Sequence, residues 1–259
     1  MVQHERLHVD IVNRVATVTF DHAATRNSIT SDMWTVIRDV FHGFASNPDV
    51  RVVVLTGAGD HFGSGADVSR MSDRGPGVSA LDAMREVGSA TQAIYELAKP
   101  TIARMRGTVA GASANLALAC DLLIADDTMR FIEVFVRRGL TIDAGGSWLL
   151  PRQIGMARAK EMVLLGDAVD AGAAREMGLV NRVLSPADLD ACVDELAGRL
   201  ATGPAIAMGM SKRLLNQAYS VSLNEALEAE SHAQVVNFQT PDASEAMRAF
   251  IEKRAPKFE

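Results

Sequence analysis

Two glycine-rich turns, about 45 residues apart, constrain this chain more than any other feature. The first is Phe62-Gly63-Ser64-Gly65-Ala66-Asp67, which follows the β-branched run Val52-Val53-Val54-Leu55. The second, Gly107-Thr108-Val109-Ala110-Gly111-Ala112-Ser113-Ala114-Asn115, follows Thr101-Ile102-Ala103. It opens directly into a helix-like stretch, Asn115-Leu116-Ala117-Leu118-Ala119. Small residues leave backbone N–H groups unshielded, and a helix start adds partial positive charge. Two such N–H groups converging on one oxygen make an oxyanion hole.

The rest of the pattern reads as strands separated by helices. Arg6–Val12 and Val15–Phe20 alternate as a β-hairpin, with Asn13-Arg14 at the turn. Ser31–Ala45 carries Met33, Trp34, Ile37, Val40, Phe41 and Phe44 at helical spacing, with Thr30 or Ser31 as N-cap. Arg51–Thr56 is a continuous apolar run of the kind buried on both faces. Ala80–Ala98 predicts a helix stopped by Lys99-Pro100, and Thr101–Met105, Asp121–Ala125 and Met129–Ile132 predict strands. Such alternation implies a largely parallel sheet in an α/β fold. From Met156 onward the pattern is helical, with candidate helices Pro186–Ala201, Ala205–Tyr219, Leu223–Phe238 and Pro241–Arg254 around a brief strand, Leu179–Val183. Ser69–Val78 reads as a loop beside the first turn, either a surface connection or a flap over a pocket.

Composition narrows the function classes. The 48% hydrophobic content allows a packed core, and with 5% aromatic residues that core must be mostly aliphatic. A net charge of −6 argues against nucleic acid as a general partner. No apolar run is long enough for a membrane span, and the first residues lack a signal-peptide pattern. Cys120 and Cys192 lie in apolar stretches and read as buried thiols in a reducing cytoplasm. The His residues lack ligand spacing and the two Cys stand alone, so no metal site is expected.

The ordered motifs resemble those of the crotonase (enoyl-CoA hydratase/isomerase) superfamily, which acts on acyl-CoA thioesters. The resemblance starts at Thr25-Arg26-Asn27-Ser28 and takes in both glycine turns. It continues through Asp143-Ala144-Gly145-Gly146-Ser147-Trp148-Leu149-Leu150-Pro151-Arg152 to Ala249-Phe250-Ile251-Glu252-Lys253-Arg254-Ala255-Pro256-Lys257-Phe258. It implies a spiral of repeated ββα units over residues 1–200 and a helical trimerisation region over 201–259. It implies homotrimers, often paired as hexamers, and no cofactor beyond the CoA of the substrate. By resemblance, the oxyanion hole uses the backbone N–H groups of Ala66 and Ala112. Ala112 stands where the family usually has Gly, and alanine retains the N–H. The resemblance also lays Ser64, Asp67 and Val68 along the CoA site, puts Arg26 near the CoA nucleotide, and brings Phe250 and Lys253 to CoA, often from a neighbouring subunit. Since the net charge is negative, attraction for an anionic CoA must come from local basic residues, with Arg70, Arg74 and Lys257 as further candidates. Asp67 by itself reads as a turn residue that bonds local backbone N–H groups.

The chain departs from the hydratase pattern at its catalytic carboxylates. Family hydratases use two glutamates, and the matching positions here are Asn115 and Phe135. Neither exchanges a proton near neutral pH. Asp143 remains, either a desolvated acid/base or a plain helix N-cap. Its context resembles the phenylacetate-pathway isomerase branch, in which an Asp at this position is the implicated acid/base. One carboxylate suffices to take a C2 proton from a 3-enoyl thioester and return it at C4. Glu133, two residues before Phe135, is an auxiliary acid/base or a polar pocket residue. Phe135, Ile142 and Trp148 read as pocket or core. The expected function is therefore double-bond isomerisation of an enoyl-CoA. The alternatives are a hydratase using a non-standard carboxylate and a non-catalytic acyl-CoA binder. The family's aryl-CoA dehalogenases need a His between the first turn and the C-terminal region, and no His falls between Phe62 and Ser231.

Overall fold

The apolar runs of the sequence become neighbouring strands of one sheet. A computed structural model describes residues 4–70 and 79–258. Residues 71–78, which hold Arg74 and most of the loop expected over Ser69–Val78, lie outside that set. The chain opens with β1 (Leu7–Val12) and β2 (Val15–Phe20), an antiparallel hairpin. Asn13 and Arg14 both take positive φ, 51° and 66°, as a two-residue hairpin turn requires.

Helix α1 (Met33–Ser46) then leads to β3 (Val52–Gly57), and α2 (Ala80–Tyr95) to β4 (Thr101–Met105). Asp32, rather than Thr30 or Ser31, occupies the N-cap of α1. Thr30 Oγ1 instead donates to Asp32 Oδ1 at 2.5 Å. After β4 come β5 (Thr108–Ala110), α3 (Gly111–Leu118), β6 (Leu122–Asp126) and β7 (Arg130–Ile132). Next are α4 (Gly146–Ile154), α5 (Met156–Leu165), β8 (Ala168–Asp170), α6 (Ala171–Glu176) and β9 (Arg182–Leu184). The chain closes with α7 (Leu189–Ala201), α8 (Ala205–Gln217), α9 (Leu223–Phe238) and α10 (Pro241–Glu252).

The larger sheet has the order β1-β2-β3-β4-β6-β9, parallel throughout except for the β1–β2 hairpin. All six residues of β3 are buried. Side chains alternate across a strand, so the two faces feed two cores. Val53, Leu55, Ala103, Met105 and Leu123 join Ile37 and Phe41 of α1 and Ile94 of α2. Val52, Val54, Ile102 and Ile124 join Leu189, Val193 and Leu196 of α7. Double-sided burial explains why β3 reads as an unbroken apolar run.

A smaller sheet, β5-β7-β8, stands apart from this one. The sequence reading missed β5 and β8. Three residues are too short to show a period of two, and their partners lie far along the chain. The predicted strand over Leu179–Val183 forms later, at Arg182–Leu184. Cys120 is buried as expected, but Cys192 is only half-buried, with Arg182 Nη1 donating to its Sγ at 3.4 Å. Among the described residues, no helix is long and apolar enough to cross a membrane.

The C-terminal helices bury little within one chain. Helix α8 has no buried residue, and Leu215, Leu223, Phe238, Phe250 and Ile251 stand exposed. Polar contacts hold α8 to the core: Tyr95 Oη donates to the Asn216 carbonyl at 3.1 Å, and Lys212 pairs with Asp121 at 2.8 Å. Phe41 on α1 is fully buried. Phe41→Ala is expected to lower unfolding stability by about 3–5 kcal/mol in urea denaturation.

Candidate active site

The small sheet brings the two glycine turns together. Gly63 N–H donates to the Thr108 carbonyl at 3.0 Å, and Ala110 N–H donates to the Gly63 carbonyl at 2.9 Å. This extends the sheet by one bridge, Gly63 to Val109. On the other side of the first turn, Ile29 N–H donates to the Gly65 carbonyl at 2.9 Å and accepts at its own carbonyl from Asp67 N–H at 2.8 Å. That pairing flanks Ala66 and turns its own N–H away from Ile29.

Ser113 pins the turns to each other. Its Oγ accepts from Gly65 N–H at 3.1 Å, and its side chain is wholly buried. Gly65 has φ +92°, and a β-carbon there would lie 3.0 Å from the Ala110 carbonyl oxygen and 3.4 Å from the Ala112 nitrogen. Only glycine allows so close an approach at that φ. Ala112 is the second residue of α3, so its N–H has no acceptor within the helix. The first turn therefore lies against the amide end of α3, as an oxyanion hole formed by Ala66 and Ala112 needs. Asn27 supports the arrangement from outside: its Nδ2 donates to the carbonyls of Ala58, at 2.9 Å, and His61, at 2.7 Å.

Asp143 is tethered to the same helix. Asn115, one turn after Ala112 on α3, donates from Nδ2 to the Asp143 carbonyl at 2.9 Å. Gly146 N–H donates to the same carbonyl at 2.9 Å, and Thr91 Oγ1 donates to the Ala144 carbonyl at 3.2 Å. Ala144 and Gly145 are both left-handed, with φ of 46° and 78°. Gly145, not Asp143, is the N-cap of α4. The plain capping role open to Asp143 on sequence grounds is thus filled by another residue. Among the described residues, its Oδ1 is buried without a hydrogen-bond partner.

Glu133 joins Asp143. It is wholly buried, and neither of its carboxyl oxygens finds a partner among the described residues. Asn115 Oδ1 is unpartnered as well. Burial pushes the Glu133 carboxyl up to about 8, with the Asn115 amide pulling it down and the nearby Asp143 charge pushing it further up. Burial pushes the Asp143 carboxyl up to about 6. Near pH 7, then, Asp143 is mostly ionised and Glu133 mostly protonated. Their surroundings thus hold the two carboxyls at different points of titration.

The other residues singled out from sequence divide into two groups. Ser64 Oγ donates to the Thr25 carbonyl at 2.6 Å, which ties the first turn to the Arg26 segment. Arg26 is exposed with φ 54°. Asp67 Oδ1 accepts from Ser69 N–H at 3.0 Å and from Ser69 Oγ at 2.6 Å, the turn role expected of it. Val68 begins a short 3-10 turn and is exposed. Phe135 is buried, and a β-carbon on Gly111 would lie 3.3 Å from Val134 Cγ1 and 3.8 Å from Phe135 Cζ. An aromatic ring therefore borders α3 at the position of the second family glutamate. Trp148 is partly exposed, edge-on to Tyr95 at 5.4 Å and stacked under Arg152 at 3.8 Å. Phe250 and Lys253 end α10, exposed, with Lys253 as its left-handed C-cap. No hydrogen bond or ion pair described within the chain joins them to the glycine turns. Sequence reasoning missed Ser113 and Thr91, whose partners lie about 50 residues away and leave no local signal.

Paired amide-bearing turns with a partly buried carboxyl beside them fit chemistry at an acyl carbonyl. The family model for enoyl-CoA hydratase/isomerase matches residues 10–259. The chain belongs to the enoyl-CoA hydratase/isomerase family and has the crotonase fold. It is 34% identical over 257 residues to a probable enoyl-CoA hydratase of Rhodobacter capsulatus, covering 99% of each chain. It is 32% identical over 247 residues to the 1,2-epoxyphenylacetyl-CoA isomerase of Escherichia coli, covering 94% of each. A solved structure from Streptomyces coelicolor A3(2) is 35% identical with a TM-score of 0.95, over 100% of this chain and 96% of that one.

Two outcomes follow from this geometry. Ser113→Ala leaves the Gly65 N–H buried and unpaired, so stability should fall by about 1–3 kcal/mol in urea denaturation. Turnover should fall with it, because the hole loses its pin. Glu133→Gln should act oppositely on stability. A carboxyl that ionises near 4.5 when unfolded and near 8 when folded binds more protons in the folded state. Stability is then lost as pH rises from about 4.5 to about 8. The variant lacks that loss, so its advantage in unfolding free energy by urea denaturation should be about 3 kcal/mol at pH 7 and vanish at pH 4.

Proposed function

We propose that this protein isomerises a double bond of an enoyl-CoA, with Asp143 taking the C2 proton. The amides of Ala66 and Ala112 hold the negative charge that forms on the thioester oxygen. One such donor typically lowers a barrier by about 3–4 kcal/mol. The observation that carries the reading is the Asp143 carboxyl. It is partly buried, has an unpartnered oxygen, does not cap α4, and is tethered through Asn115 to the helix that bears Ala112. The two family glutamate positions, filled by Asn115 and Phe135, offer no proton-transfer group. Likeness to the Escherichia coli 1,2-epoxyphenylacetyl-CoA isomerase supports the isomerase side of the family.

One observation favours a second reading. Glu133 supplies a second carboxyl beside Asp143, and hydration uses two. In both readings Arg26, Ser64, Asp67 and Val68 lie along the CoA, and Phe250 and Lys253 reach it from a neighbouring subunit. The exposed apolar residues of α8 to α10 support a homotrimer or a pair of trimers built on residues 201–259. The CoA belongs to the substrate, with no further cofactor, and a free, buried Cys120 suits the cytoplasm.

The test compares isomerisation of 3-hexenoyl-CoA with hydration of crotonyl-CoA. Wild type should isomerise, and Asp143→Asn should lose roughly 10²–10⁴-fold. Wild-type kcat/KM should rise with pH through about 6 as Asp143 ionises. Hydration that survives in Asp143→Asn would overturn the isomerase reading in favour of the second.

A further inference from the structure

We propose that Glu133 is a second catalytic residue, which delivers the proton to C4 after Asp143 has removed the one at C2. This rests on the isomerase reading and divides between two carboxyls the task that one could perform alone.

The placement of Glu133 is the starting point. It follows β7 and stands before the short 3-10 turn Val134–Arg138, yet its side chain makes no capping bond there. Its next two residues, Val134 and Phe135, pack against Gly111 at the start of α3. This brings Glu133 to the helix that carries Ala112. Its two carboxyl oxygens, Asn115 Oδ1 and Asp143 Oδ1 form a cluster of four buried, unpartnered oxygens from three separate segments. Buried polar atoms in folded proteins nearly always have partners, and a group without one needs an explanation. Asn115 and Asp143 are the polar groups that act on the Glu133 carboxyl, and neither makes a hydrogen bond to it. In the proposal, the reacting carbons of the substrate meet the two carboxyls of this cluster.

The proton and electron inventory closes. The Asp143 carboxylate takes a proton from C2, and the C–H electron pair moves into a dienolate whose oxygen rests on the two amides. The Glu133 carboxylic acid gives its proton to C4. The C3–C4 double-bond electrons form the new C4–H bond, the dienolate electrons become the C2–C3 double bond, and the thioester carbonyl returns. Asp143 is left protonated and Glu133 ionised. Exchange with water removes the proton from Asp143 and restores the one on Glu133. The resting state suits these roles, since burial holds Glu133 protonated up to about 8 and leaves Asp143 ionised above about 6. The groups that act on the Glu133 carboxyl are Asn115 on α3 and Asp143 before α4. Asn115 does not titrate.

The experiment uses 3-hexenoyl-CoA carrying deuterium at both C2 positions, in ordinary water, with mass spectrometry of the product. A single carboxyl would carry deuterium from C2 to C4. Two carboxyls place a solvent-derived proton at C4. Wild-type product is expected to carry no deuterium at C4. Glu133→Gln is expected to turn over at least tenfold more slowly, to deliver deuterium to C4 through Asp143, and to lose the falling limb of the pH profile near 8. Wild-type product with deuterium at C4, together with Glu133→Gln turning over at the wild-type rate, would overturn the proposal and leave Asp143 as a lone acid/base. The wild-type labelling needs no variant to fold. Absence of isomerisation in wild type would instead remove the isomerase reading itself, and the role of Glu133 with it.

Discussion

The hydrogen bond from Gly65 N–H to Ser113 Oγ is the contact on which the rest of the site depends. It joins a turn after β3 to a helix after β5, two segments with no covalent reason to meet. Around it the Gly63–Val109 bridge sets the register, and Gly65 gives up its side chain so that backbone approaches backbone. The Ala112 amide is left unpaired by its place at a helix start, and that of Ala66 is turned outward by the pairing of Ile29. An amide pair of this kind is useful because it costs nothing to orient when charge appears.

The second constraint is electrostatic. Helix α3 is buried throughout, and its surroundings strip water from any carboxyl beside it. Desolvation raises both Asp143 and Glu133, by different amounts because their burial differs. The same low-polarity setting that would strengthen an amide pair's hold on an oxyanion thus separates the titration of two carboxyls. Asn115 is central to this sorting. It cannot move a proton, but it holds the Asp143 backbone and faces the Glu133 carboxyl. A glutamate at that position would add a third buried carboxyl to the cluster.

Much of this was legible in the sequence, and unevenly so. Helix α1 announces itself by apolar spacing, α2 by its stop at Lys99-Pro100, and β3 by its unbroken run. The hairpin turn at Asn13-Arg14 carries its own residue signature. The strands of the small sheet carry no such signature, because a three-residue strand is defined by its partner rather than by its own pattern. Cys192 illustrates the same limit, since an apolar neighbourhood in sequence does not fix depth in the fold. Asp143 was visible as an acid before a helix, but its choice between cap and free carboxyl depended on where α4 began, and that was settled by the left-handed Ala144-Gly145 pair.

The sequence alone determined the α/β class, the two amide-bearing turns, the family resemblance, and the loss of carboxylates at Asn115 and Phe135. The class and the turns are properties of residue type and local spacing, while the resemblance, and with it the missing carboxylates, is read from ordered motifs set against the family. The tertiary structure alone decided that Ser113 clamps Gly65, that Asn115 anchors Asp143, and that Glu133 is wholly buried beside both. Each of these joins residues brought together only by packing of the sheets against α3. Burial and pairing are properties of that packing, and they set whether a carboxyl is a surface charge, a cap or a proton carrier.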